Sequence, residues 1–155
     1  ANDIFYNYLL SGIYSPKASI QTIANAMDVG DPSNFARILD LYKSSHAEIC
    51  NHISGATYSD DEIAATMKKC YEQTGYVLDP HGACGYQALK DNLKEGETGV
   101  FLETAHPAKF KEKVDAILST DIEIPTRLAD FMKGKKQSLE MAADFSAFKQ
   151  FLLSV

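Results

Sequence analysis

Phe101-Leu102-Glu103-Thr104-Ala105-His106-Pro107-Ala108-Lys109-Phe110 decides how this chain is read. The apolar run Val100 to Leu102 ends on a hydroxyl, Thr104, and a helix start follows directly. His106-Pro107 suits that start, because proline fixes φ and lacks the N–H that a first helical turn leaves unpaired. A strand that delivers one polar side chain at its carboxyl end, beside a helix N-terminus, is where open α/β proteins place ligands.

Working outward, the preceding residues repeat the pattern. Tyr76-Val77-Leu78 reads as a short buried strand ending at Asp79-Pro80, followed by a helix from about Gly82 to Leu93. The turn Lys94 to Glu97 leads into a strand Thr98–Leu102. Strand, helix, strand and helix joined by short turns predict βαβ units on a parallel sheet. Upstream, Ser59-Asp60-Asp61-Glu62 is a capping-box helix start, with acids at the positive end of the helix. Its helix should run to about Thr74, with Ile63, Met67, Cys70 and Tyr71 inward and Gly75 as the stop. A first helix is predicted from Asn2 or Asp3 to Gly12, with Ile4, Phe5, Tyr8 and Leu9 on one face. Residues 19–29 read as strand and loop. Asp31-Pro32 starts a helix with the stripe Phe35, Ile38, Leu39 and Tyr42, and a short helix covers residues 46–54. Downstream come Ile122–Ile124, a helical piece from Pro125 to Met132, and an amphipathic helix carrying Phe145, Phe148, Phe151 and Leu152. One α/β unit is the simplest organisation.

Composition narrows the function. The 155 residues are 45% hydrophobic and 23% charged, as in a folded globular domain with a core. No apolar run exceeds three residues, which excludes a membrane-spanning helix and a signal-peptide core. The formal charge of −6 disfavours nucleic acid and anionic membranes as partners. Three widely spaced cysteines, Cys50, Cys70 and Cys84, fit a reducing compartment better than a disulfide framework. The chain opens on Ala-Asn-Asp, compatible with a processed or truncated product.

Three clusters can carry chemistry. Thr104 can hydrogen-bond a ring nitrogen, a phosphate or merely the next helix's first N–H, and the strand-end cap is the simpler reading. His106 reads as a helix-entry residue and Lys109 as a surface lysine. Ser33 and Asn34, with Arg37 one turn on, could hold a phosphate at a helix N-terminus, although Asp28 and Asp31 repel an anion there. Asp79-Pro80-His81-Gly82-Ala83-Cys84-Gly85 is a polar loop with small residues. His81 and Cys84 lack the paired spacing of a zinc site, so no metal is expected. Glycine-rich phosphate fingerprints are absent.

The same clusters, in this order and at about this spacing, resemble the threonine synthase family. Ala26-Met27-Asp28-Val29 through Pro32-Ser33-Asn34-Phe35 and Arg37 is similar to one motif of that family. Leu78-Asp79-Pro80-His81 with Ala83 and Gly85 is similar to a second, and Thr104 to Phe110 to a third. The resemblance covers nearly the whole chain and matches the C-terminal third of the family. It implies a partial three-layer αβα fold with a mainly parallel sheet, part of a fold type II enzyme that uses pyridoxal 5'-phosphate. It implies a cytoplasmic parent lyase that converts O-phospho-L-homoserine and water to L-threonine and phosphate. It further implies that Thr104 faces the pyridine nitrogen and that Ser33, Asn34, Arg37 and His81 are candidates for substrate or phosphate. No catalytic residue is expected within the segment, since the family's Schiff-base lysine and phosphate loop lie upstream of it. The segment alone should therefore be inactive and self-associate through exposed apolar surface. Gly82 departs from the hydroxyl residue expected there. The alternative is a standalone, non-catalytic α/β domain that binds a protein partner or an anion.

Overall fold

A computed structural model describes residues 1–155. Where the sequence reads as one unit, the contacts divide it into two, Ala1–Glu123 and Ile124–Val155. In the first unit, α1 (Ile4–Ser11) buries Ile4 and Tyr8, four residues apart and so on one helix face. Its predicted cap is absent: Asp3 makes no capping bond and instead pairs with Lys17 at 2.5 Å. Residues 19–29 form no strand. They hold a single tight turn, Asn25–Met27, because Thr22 and Asn2 tie the segment to the Asp28 carboxylate. The next helix, α2 (Phe35–Leu41), starts later than Asp31-Pro32, after a turn closed by Phe35 N–H on the Pro32 carbonyl. Ser45 caps α3 (His46–His52).

The expected capping box is present in α4 (Asp60–Thr74): the Ser59 hydroxyl accepts from Glu62 N–H, and the Glu62 carboxylate accepts from Ser59 N–H at 2.7 Å. Gly75 ends that helix at φ 73°, a left-handed turn that favours glycine. Pro80 opens α5 (Pro80–Asn92), and α6 (Lys111–Leu118) follows the tight turn Pro107–Phe110. Helix α4 packs on α5 and α6. Between them lies a core of Ala24, Ile63, Met67, Cys70, Leu78, Ala83 and Val114, with Met67 and Val114 fully enclosed. Burying each such side chain contributes about 1.5–3 kcal/mol. A second cluster joins Tyr8, Phe35 and Ile49.

The segments read as strands, Tyr76–Leu78, Thr98–Leu102 and Ile122–Ile124, carry no β-ladder. A strand needs a neighbour to take its backbone groups, and these segments share one core without exchanging backbone hydrogen bonds with each other. The period-2 alternation survives all the same. Phe101 and Glu103 turn inward, Phe101 meeting Tyr86 edge-on at 5.4 Å, while Val100, Leu102 and Thr104 face out. Val100 and Leu102 are 83% and 78% exposed, an apolar row on the outer face.

The second unit contains α7 (Thr126–Met132) and α8 (Phe145–Ser154), the latter capped by Asp144. Neither helix buries a residue.

Candidate functional site

The three motifs converge on the N-terminus of α5. Asp79 caps that helix, its Oδ1 accepting from His81 N–H at 2.7 Å and Gly82 N–H at 3.4 Å. The same oxygen takes the His81 Nδ1 proton at 2.6 Å, while His81 Nε2 accepts from Ala26 N–H at 3.0 Å. A ring that accepts a backbone N–H at Nε2 and donates at Nδ1 is neutral, so its tautomer follows from its partners. His81 thereby ties the first motif to the second and rests on Phe110 of the third, ring centroids 4.8 Å apart. Asp79 N–H donates to Glu103 Oε1 at 2.7 Å, which joins the second motif to the third.

Thr104 stands one residue beyond Glu103, exposed, and its hydroxyl makes no hydrogen bond within the chain. The cap of the next turn is His106 instead, whose Nδ1 accepts from Ala108 N–H at 3.1 Å. That bond removes the strand-end-cap reading of Thr104 and satisfies the helix-entry reading of His106. Lys109 is exposed in the same turn. A free hydroxyl at the end of an extended segment fits a partner that brings its own acceptor or donor, as a pyridine nitrogen does.

Ser33 and Asn34 are exposed and line a cleft of 480 Å³ with Met27, Val29 and Phe35. Arg37 is exposed on α2 outside the cleft's lining. Asn34 makes no capping bond, and α2 spans only seven residues. His81 is nearly closed off, and both its nitrogens are engaged inside the chain. Cys84 is no nucleophile: burial, then the nearby Asp79 charge, pushes its thiol up to about 11.

Two side chains at this site were given no role in the reading of motifs, Asp79 and Glu103. Asp79 is 0% exposed, and its Oδ2 and Glu103 Oε2 are buried without a partner. Burial first, then the charge of Asp79 and a side-chain hydrogen bond to it, push Glu103 up to about 7, against the lowering pull of Asp79 N–H. Gly82 explains how the carboxyl fits. A Cβ on residue 82 would lie 1.5 Å from Glu103 Oε2, so the missing side chain is the space the carboxyl fills. The departure at position 82 and the acid at position 103 are one feature. The signal was a carboxylate on the inward phase of an otherwise apolar strand.

The chain belongs to the family described as pyridoxal-phosphate dependent enzyme, which residues 1–104 match. Within it, residues 82–152 match the family described as threonine synthase, C-terminal. Threonine synthase of Haemophilus influenzae is 43% identical over 153 residues, covering 99% of this chain and 36% of that protein. The Escherichia coli protein of that name is 39% identical over 153 residues, covering 99% and 35%. A crystal structure of Escherichia coli threonine synthase superposes with a TM-score of 0.80 at 38% identity, covering 99% of this chain and 36% of that one. A structure of threonine synthase with bound pyridoxal phosphate, from Brucella melitensis, gives 0.69 at 27% identity, covering 97% and 38%. The chain thus spans about a third of the length of the relatives it matches, and the resemblance read from its three motifs holds. Its fold class is the α/β fold of these enzymes, although residues 1–155 supply no paired strand of their own. No helix is long and apolar enough to cross a membrane.

Proposed function

We propose that this chain is the C-terminal portion of a threonine synthase, a pyridoxal-phosphate lyase that converts O-phospho-L-homoserine and water to L-threonine and phosphate in the cytoplasm. The observation that carries this reading is 43% identity to a threonine synthase across 99% of the chain. When bound, the cofactor supplies an electron sink for the carbanions of phosphate loss and water addition. This chain's own residues bind and orient. Thr104 offers its unengaged hydroxyl to the ring nitrogen, and a neutral hydroxyl leaves that nitrogen without the proton an aspartate would hold there. Ser33 and Asn34, exposed in their cleft, and Arg37 beside it are the residues for the phosphate end of the substrate. His81 serves inside the protein, fixing the first motif to the second. The exposed row of Val100 and Leu102 supports a sheet completed by chain outside residues 1–155. Nothing in the comparisons favours a standalone anion-binding domain.

The test uses the full-length enzyme. Thr104→Val, nearly isosteric, removes the hydroxyl while leaving the fold intact. Losing one hydrogen bond of about 0.5–1.5 kcal/mol, it should weaken cofactor binding roughly threefold to tenfold and shift the bound cofactor's absorbance. Unchanged affinity and an unchanged spectrum would remove Thr104 from the site. The isolated 155-residue chain should release no phosphate from O-phospho-L-homoserine; turnover by it would overturn the proposal that it is only part of the enzyme.

A further inference from the structure

We propose that Glu103 is a positioning residue for Thr104: its carboxylic acid shares one proton with Asp79, from Oε2 to Oδ2, and so fastens the segment ending in Thr104 to the N-terminus of α5. The positioning half rests on the reading of Thr104 above; the shared proton rests on the two unpartnered buried oxygens and on the Asp79 N–H bond that brings the two carboxyls together.

Asp79 is wholly enclosed, with Oδ1 occupied by His81 N–H, Gly82 N–H and the His81 ring. Glu103 Oε1 is occupied by Asp79 N–H. That leaves Asp79 Oδ2 and Glu103 Oε2, the two buried side-chain oxygens of the molecule that accept nothing. Two ionised carboxylates in that position would repel each other and leave both lone-pair sets unsatisfied. One proton on Oε2, donated to Oδ2, satisfies both oxygens at once and leaves a single negative charge on the pair.

No cation competes for that role. The groups facing Glu103 are Asp79 from the start of α5 and the Tyr76 phenol from the segment before it, while His81 meets the far oxygen of Asp79. The His81 ring is neutral by its bonds, and neither carboxyl pairs with a lysine or arginine. Gly82 closes the fit, because any side chain there would expel the carboxyl. Thr104 follows Glu103 directly in the chain. Whatever fixes the inward Glu103 also fixes the direction in which the outward hydroxyl points.

Glu103→Gln tests both halves in the full-length enzyme. Glutamine keeps the shape, can accept from Asp79 N–H through Oε1 and can donate to Oδ2 through its amide, so it mimics the proton-holding acid and does not titrate. The first arm is urea unfolding of the cofactor-free protein between roughly pH 5 and roughly pH 9. A folded state that holds a proton which the unfolded chain releases at lower pH is stabilised at low pH and loses that advantage as pH climbs through about 7. The wild type should show this loss, and Glu103→Gln should lack that component. Identical pH profiles for the two would overturn the shared proton.

The second arm is pyridoxal-phosphate affinity by absorbance titration. Glu103→Gln should bind within about twofold of wild type, and Glu103→Ala about tenfold more weakly. Equal affinity in Glu103→Ala would overturn the positioning role. If the wild type takes up no pyridoxal phosphate, the cofactor reading fails and the positioning role fails with it, while the first arm still decides the proton.

Discussion

Replacing Gly82 with serine should unfold the enzyme more easily for a reason that vanishes when Glu103 is shortened. The added Cβ would lie 1.5 Å from Oε2, 2.4 Å from Cδ and 2.8 Å from Oε1 of Glu103, all closer than side chains can approach. The obstacle is the end of a flexible side chain, so the carboxyl swings out and the helix stays. Its departure strips Asp79 N–H of its acceptor, and an unpaired buried donor costs about 1–3 kcal/mol. Residual crowding adds about 1 kcal/mol, at the low end for overpacking. Serine's better helix propensity returns about 0.5 kcal/mol. The net expectation is a loss of about 2–3 kcal/mol. In a Glu103→Ala background the clash and the stripped bond are already gone, and Gly82→Ser should be neutral or slightly stabilising. The double-mutant cycle should therefore show a coupling of about 2–3 kcal/mol, measured by urea unfolding of the four full-length proteins under one buffer condition. Additivity within about 0.5 kcal/mol would refute the claim that the glycine and the acid are one feature.

Two further outcomes are open to simpler measurements. Ser59→Ala removes the hydroxyl half of the box that starts α4, the helix on which α5 and α6 pack, and should cost about 1 kcal/mol in unfolding. The Ser59 backbone N–H first and the hydroxyl second hold the Glu62 carboxyl below its ordinary range; only the hydroxyl's bond is lost in Ser59→Ala, so the loss should be larger at neutral pH and shrink as pH falls through the lowered value, and a loss identical in acid would contradict the hydroxyl's bond to the carboxylate. The isolated chain should bind an apolar-surface dye and elute above its 17.1 kDa monomer mass. Val100 and Leu102 lie bare in the first unit, and Phe131 and Phe145 are 81% and 77% exposed in the second; a dye-silent monomer would refute this.

Helices were legible because their causes are local. Ser59 and Glu62 sit three apart and Gly75 ends the same helix, each acting within one turn of itself, while the next helix starts at Pro80, two residues before the Gly82 the reading gave it. Where a local cue had a stronger distant partner, the reading slipped. Asp3 left its cap for Lys17, and residues 19–29 were held in a loop by Asn2, which bonds Ile20 and Asp28. Strands were legible in a different sense. The alternation of Phe101 and Glu103 against Val100, Leu102 and Thr104 is what a period of two predicts, yet pairing is a property of two segments. Within residues 1–155 these segments do not pair.

The site divides along the same line. Thr104, His81, Ser33, Asn34 and Arg37 were singled out as residue types at motif positions, because a hydroxyl or an imidazole declares its chemistry by identity. Glu103 declares nothing by identity; a carboxylate in a strand is ordinarily a solvated residue. Its meaning lies in what surrounds it: an enclosed Asp79, a neutral His81 and a missing Cβ at position 82. None of these is adjacent to it in the chain. A glycine where a hydroxyl is expected reads as a lost function until the acid is seen in its place, and then it reads as room made for a proton. Placing a hydroxyl residue at position 82 would therefore misfire unless Glu103 changed with it.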